Sequence, residues 1–183
     1  MKKRFTEDIE KVLLTEPQIA ARVKGLAEQL MQDYEDKDLL MVGVLTGAAP
    51  FYTALVMEMD LPLEMHFIRA SSYGAGTESS GKVELRYDLE VDLQGRDVVI
   101  VEDIIDSGNT LSALKALFLQ RGANSVACCC LLDKKERRTA DIEADYVGFE
   151  VPDEFLVGYG LDYAGKYRNL KYVGILRPEV YRN

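Results

Sequence analysis

Four consecutive β-branched residues, Val98-Val99-Ile100-Val101, run straight into Glu102-Asp103-Ile104-Ile105-Asp106-Ser107-Gly108-Asn109-Thr110-Leu111. A short, continuously apolar run of this kind marks a strand buried on both faces, as in parallel sheets. After it, Leu111, Leu114, Leu117 and Phe118 recur at helical spacing, and Gly122 stands where a C-terminal cap belongs. Residues 125–132 form a second apolar run. Strand, helix, strand in that order requires a parallel crossover. The chain is thereby constrained to an α/β architecture, a mostly parallel twisted sheet flanked by helices.

The rest of the chain fits that frame. Thr15-Glu16-Pro17-Gln18 reads as a capping box with proline in the first turn, and Ile19, Val23, Leu26 and Leu30 then mark one helical face ending near Tyr34. Residues 39–45 predict a buried strand broken at Thr46-Gly47, residues 48–59 a helix, and residues 63–68 and 83–88 further strands. Between the last two lies Ser71-Ser72-Tyr73-Gly74-Ala75-Gly76, continuing small and polar to Gly81. A loop this long inside a compact domain is commonly a functional lid, here placed at about residues 70–82. The final third carries short apolar pieces at 146–149, 155–157 and 172–176, expected to build a small hood region over about residues 134–183. A length of 183 residues suits one domain spanning residues 1–183.

Charge and cysteine usage narrow the classes. A net charge of -9 argues against a dedicated nucleic-acid binder. No apolar run is long enough for a membrane span, and Met1-Lys2-Lys3-Arg4 is followed by no signal core, so the expected setting is cytoplasmic. The three cysteines are consecutive, Cys128-Cys129-Cys130. Neighbours on a strand point to opposite faces, which is poor geometry for a metal or a disulfide and ordinary for a buried strand.

The central run also carries chemistry. In open α/β sheets, ligands bind at the carboxyl ends of strands. Ser107-Gly108-Asn109-Thr110 supplies hydroxyls, a residue without a side chain, and free N–H groups at a helix start, which together suit a phosphate. It is neither a Walker A loop nor a dinucleotide fingerprint. Three carboxylates, Glu102, Asp103 and Asp106, crowd the same stretch. Two like charges about 6 Å apart repel by roughly 3 kcal/mol at an effective dielectric of about 20. A site for phosphate alone would avoid that, whereas sugar hydroxyls or a divalent cation would use the carboxylates.

The run 98–111 resembles the 5-phosphoribosyl 1-diphosphate (PRPP) motif of type I phosphoribosyltransferases, and the wider match is similar to the hypoxanthine-guanine branch of that family. It extends over Val42-Gly43-Val44-Leu45-Thr46-Gly47, Ser71-Ser72-Tyr73-Gly74, Leu131-Leu132-Asp133-Lys134 and residues 146–163, collinear over about residues 9–176. The resemblance implies purine salvage, in which hypoxanthine or guanine plus PRPP gives IMP or GMP plus diphosphate. Glu102 and Asp103 would hold the ribose hydroxyls, directly or through Mg2+, and Asp106 would be the general base at purine N7. Asp106, Ser107, Gly108, Asn109 and Thr110 would cradle the 5′-phosphate. Leu45, Thr46, Gly47 and Arg168 would meet the diphosphate. Ile104 and Phe155 would sandwich the purine, Lys134 would donate to O6, and Leu156 and Asp162 would read the remaining edge. The Asp162 carboxylate would help bind a second Mg2+. Ser72 and Tyr73 would close as a lid, and the assembly would be a homo-oligomer, dimer or tetramer. Where the family commonly has lysine, this chain has Thr46, so a lysine's contribution there is not carried over.

Simpler readings stand beside these. Lys134 opens Lys134-Lys135-Glu136-Arg137-Arg138, which alone is an ordinary solvated charge run. Phe155 alone suits a core, Asp162 alone a turn, and His66 a structural place in an apolar strand. Two rival functions remain open: a same-fold enzyme for another base such as xanthine, and a non-catalytic regulator that senses PRPP or nucleotides.

Overall fold

The computed structural model describes residues 4–72 and 83–182. In chain order the elements are β1 (Ile9–Leu14), α1 (Glu16–Tyr34), β2 (Leu39–Val44), α2 (Ala49–Met57), β3 (Glu64–Ser72), β4 (Val83–Tyr87), β5 (Asp97–Ile105), α3 (Asn109–Gln120), β6 (Ser125–Asp133), β7 (Tyr146–Glu150), β8 (Leu156–Val157), β9 (Val173–Leu176) and a short α4 (Pro178–Tyr181).

Six strands form the main sheet in the order β4-β3-β2-β5-β6-β7. The β2 pairs with β3 and β5 are parallel, as are β5 with β6 and β6 with β7; only β4 runs antiparallel, against β3. Every residue of β2 is buried, as its unbroken apolar run requires. Helices α1 and α2 cover one face, packing on Met41, Val99, Val101, Cys129 and Leu131. Helix α3 covers the other, packing Leu111, Leu114 and Phe118 on Val98, Ile100, Cys128 and Cys130. The three consecutive cysteines are thus split between two core layers, all buried and free. The Thr15 amide donates to Gln18 Oε1 at 2.9 Å to open α1, and Gly122 ends α3 with φ 88°.

Three elements depart from the sequence expectation. Strand β5 does not stop at Val101 but continues through Glu102 and Asp103, because its ladder with β6 runs on to Ile105 and Asp133. Strand β3 takes in Ala70, Ser71 and Ser72, pairing the last two with Glu84 and Val83, so the expected lid loop begins with an antiparallel ribbon. A second, three-stranded antiparallel sheet, β1-β9-β8, stands beside the main one. Two of its strands, β8 and β9, come from the C-terminal part; the third, β1, comes from the N-terminus and pairs Ile9 with Leu176 and Leu14 with Val173.

Strand order fixes where a ligand can enter. The chain leaves β2 toward β3 on one side and leaves β5 toward β6 on the other. A crevice therefore opens between the carboxyl ends of β2 and β5, where the winding reverses.

Candidate active site

The crevice is where the sequence candidates meet. Strand β2 ends at Val44, and the amide of Leu45 just beyond it donates to Ile68 O at 2.8 Å; the Leu45–Thr46 peptide bond is cis. Gly47 then lies directly against Asp103 on the neighbouring strand: a Cβ added to Gly47 would sit 1.8 Å from Asp103 Oδ2. Only glycine allows the loop to touch that carboxylate. A Cβ on Gly160 would in turn come within 1.9 Å of Gly47 O, so the segment after β8 closes on the same loop.

Glu102 and Asp103 form a tense pair. The Asp103 amide donates to Glu102 Oε2 at 3.3 Å, and the Ile104 amide donates to Asp103 Oδ1 at 2.9 Å. Burial, with the adjacent Asp103 charge adding to it, holds Glu102 well above the usual carboxylate range. Burial raises Asp103 as well, against the opposing pull of the Ile104 amide and the Arg168 charge. Carboxylates in this condition gain from a cation or from hydroxyl donors. Arg168 pairs with Asp162 at 2.6 Å and donates to Gly160 O; Asp162 Oδ2 also accepts the Gly165 amide at 2.8 Å. Among the described residues no group of three or more His, Cys, Asp or Glu is arranged to hold a metal ion. A cation here would rest on the Glu102–Asp103 pair and on substrate oxygens, the usual manner of Mg2+.

Two cavities share the wall that follows. One, of about 220 Å³, is lined by Glu102, Ile104, Asp106, Ser107, Gly108 and Thr110, among others. Gly108 caps α3 in the left-handed region, φ 82°, and Asn109 and Thr110 open that helix, where N–H groups without an intrahelical partner suit an anion; the Asn109 amide donates to Ser107 Oγ at 3.4 Å. The other, of about 360 Å³, is lined by Ile104, Asp106, Lys134, Phe155, Leu156 and Asp162 together with residues outside the sequence candidates: Arg137, Asp153, Glu154, Leu161 and Tyr181. Ile104 and Asp106 belong to both.

Lys134 is buried, 6% exposed, despite its place at the head of a charge run. Its Nζ donates to Glu154 O at 2.9 Å and lies 3.4 Å from Asp153 Oδ1. Phe155 stacks on Tyr181, ring centroids 4.6 Å apart, and meets Tyr163 edge-on at 5.5 Å. Asp106 Oδ1 is buried without a hydrogen bond, its nearest counter-charge being Arg137 Nε at 3.4 Å. Arg137 also reaches Asp153 Oδ1 at 3.8 Å. No sequence signal separated Arg137 or Tyr181 from the surface residues around them. Of the expected lid pair, Ser72 ends β3 and Tyr73 lies outside the described residues, as does most of the loop. His66 sits in β3 beside Glu64 at 3.4 Å, paired across β2 with Val42, and lines neither cavity.

Comparison with known proteins matches residues 11–164 to the phosphoribosyl transferase domain. The hypoxanthine-guanine phosphoribosyltransferase of Bacillus subtilis is 54% identical over 176 residues, covering 96% of this chain and 98% of that protein. The enzyme of the same name from Streptococcus pyogenes is 49% identical over 175 residues, 96% and 97% of the two chains. The chain also matches, at 54% identity, 27% of the length of the bifunctional protein TilS/HprT of Listeria monocytogenes. A crystal structure of a hypoxanthine phosphoribosyltransferase from Staphylococcus aureus superposes with a TM-score of 0.95 at 48% identity, covering both chains fully. With a match in fold over the whole chain and in sequence over 96% of it, the chain belongs to the phosphoribosyltransferase family, in its hypoxanthine-guanine group.

Proposed function

We propose that the protein transfers the 5-phosphoribosyl group of PRPP to N9 of hypoxanthine or guanine, releasing diphosphate and forming IMP or GMP. One observation carries this reading: Asp106 lines both the cavity at the start of α3 and the cavity walled by Ile104, Phe155 and Tyr181. A ribose ring bridging them would bring C1′ and the base nitrogens to that residue. The C1′–O bond to diphosphate breaks, the N9 lone pair forms the new bond, and the N7 proton passes to the Asp106 carboxylate. Its Oδ1, buried without a hydrogen bond and 3.4 Å from Arg137 Nε, would accept it.

Base choice follows from donor chemistry. A lysine ammonium has three donors and no acceptor. Lys134 therefore suits the O6 of a 6-oxopurine and mismatches the amino group of adenine. Ile104 and Phe155 supply apolar faces for the ring. Thr46, Gly47 and Arg168 meet the diphosphate, and Asn109 and Thr110 join Ser107 and Gly108 at the 5′-phosphate. Mg2+ bound at Glu102 and Asp103, and a second ion near Asp162, would neutralise charge on the leaving diphosphate. No helix among the described residues is long and apolar enough to cross a membrane; a cytoplasmic setting belongs to the same proposal, as does the homo-oligomeric assembly that the family resemblance implies.

The test is turnover of PRPP and Mg2+ with hypoxanthine, guanine, xanthine and adenine in competition. IMP and GMP should form, with adenine excluded. Folded protein that turns over neither hypoxanthine nor guanine would sink the reading, and preference for xanthine would correct it.

A further inference from the structure

We infer that Arg138 is the positioning residue that turns the amides of the phosphate loop toward its ligand. The inference rests on the phosphoribosyl-transfer reading of that loop and adds a residue to it. Arg138 lies in the charge run 134–138, where sequence alone predicts a solvated side chain. It is instead 14% exposed and forked among three acceptors. Nη2 pairs with the buried Asp133 carboxylate. Nη1 donates to Ile142 O at 2.6 Å, and Nε donates to Asp106 O at 3.1 Å.

The backbone beyond Arg138 continues the grip. The Thr139 and Ala140 amides both donate to Ser107 O at 3.0 Å. Gly108 is pressed against the same segment: a Cβ there would lie 2.9 Å from Arg138 Cδ and 2.7 Å from Ile142 Cγ2. The carbonyls of Asp106 and Ser107 thus both point at this brace, while Gly108 O turns into α3 to accept the Ser112 amide at 2.9 Å.

Peptide geometry converts this into function. In a trans peptide the N–H of one residue points opposite to the preceding C=O. With Asp106 O and Ser107 O held from behind by Arg138, Thr139 and Ala140, the amides of Ser107 and Gly108 are aimed away from the brace. They face the 220 Å³ cavity that both residues line. The loop is then preorganised for an anion before one arrives, and a side chain that never touches substrate sets the direction of its donors. A guanidinium is needed because its planar fork satisfies the three acceptors at once; an ammonium at the same place keeps the charge but not the fork.

The experiment compares wild type, Arg138→Lys, Arg138→Ala and Asp133→Asn. Steady-state kinetics are read separately for PRPP and hypoxanthine, with melting temperature as a control. Arg138→Lys should raise KM for PRPP by about 10- to 100-fold, with KM for hypoxanthine within about twofold of wild type. Asp133→Asn should move PRPP in the same direction by less. Methylguanidine added to Arg138→Ala should restore part of the PRPP affinity and leave hypoxanthine unchanged. If Arg138→Ala does not fold, Arg138→Lys and Asp133→Asn decide the matter. An unchanged KM for PRPP in a folded Arg138→Lys variant overturns the inference. So does an equal rise in both KM values, which would mean a general loss of structure. A wild type that turns over neither base fails the parent reading instead, so the two failures are distinguishable.

Discussion

Replacing Gly47 with alanine tests whether the crevice between β2 and β5 works as one unit. Gly47 is not among the glycines of positive φ, so backbone freedom does not explain its presence. Space does. An alanine Cβ would lie 1.8 Å from Asp103 Oδ2 and 2.7 Å from its Cγ, where ordinary contact begins at 3.4 Å. Asp103 must swing away or the loop must lift. Either movement pulls the carboxylate off the Ile104 amide, now at 2.9 Å, and out of its relation to Glu102 and Arg168. A displacement of an ångström or more at a positioning group costs about 10²-fold, or roughly 2.7 kcal/mol of transition-state stabilisation. The assay is kcat/KM for PRPP in wild type, Gly47→Ala, Asp103→Ala and the double variant. With Asp103 already truncated, the atoms that alanine would strike are gone. Gly47→Ala should then cost no more than about threefold, and the cycle should show strong coupling. An equal loss in both backgrounds would refute the reasoning and assign the effect of alanine to the loop backbone.

Asp106→Asn should lower kcat by about 10²- to 10⁴-fold with PRPP binding retained, since a neutral amide cannot take the N7 proton; an unchanged rate, measured by formation of IMP, removes Asp106 from that role. Lys134→Ala should raise KM for hypoxanthine by about 10- to 100-fold, the worth of one charge-assisted hydrogen bond, and KM for PRPP far less; equal losses would contradict it. Burial pushes the Cys128 thiol up to about 12 and raises Cys129 and Cys130 too, while burial also lifts Tyr34 and Tyr167 to about 12. Groups raised in the folded state contribute stability that is whole below their unfolded values and lost as pH climbs through the folded ones, so melting temperature should fall between about pH 9 and pH 12. Native thiols should resist a disulfide reagent at about pH 8, where even an exposed thiol is only partly ionised; ready labelling of the folded protein would contradict their burial.

Most of the main sheet could be read from the chain because its signals are local. The runs that became β2, β5 and β6 are continuous and apolar, since strands buried on both faces need nothing else. The alternation that sends Cys129 to one layer and Cys128 and Cys130 to the other follows from strand periodicity alone. The second sheet was less legible. Strand β1 shows no clean alternation, because its register against β9 shifts twice, and a bulged strand scrambles the period-two pattern. Its partner lies more than 160 residues further on, between Ile9 and Leu176, and no short-range signal carries such a pairing. The extension of β5 through Glu102 and Asp103 was hidden for a related reason: ladder bonds are made by backbone, so a strand can continue under side chains that look like a loop.

The same distinction separates the parts of the site that the sequence revealed from those it concealed. Glu102, Asp103, Asp106 and Gly108 sit within one short run, and their charges and missing side chain conflict with a purely structural purpose. Lys134, Phe155 and Asp162 are individually ordinary; they gained a role only through resemblance, and the folded chain puts all three around one cavity. Arg137 and Arg138 show the limit most clearly. They are adjacent and identical in type, yet one faces Asp106 Oδ1 across the cavity mouth and the other grips Asp106 O from behind. Nothing local to residues 134–138 tells which arginine meets which side of Asp106, because that residue lies about thirty residues upstream and is brought there by the β5–β6 ladder. A charge run is therefore best read after the strand order is known: where it follows a strand that pairs beside the phosphate loop, its cations have backbone carbonyls and carboxylates within reach, and solvent is no longer their default partner.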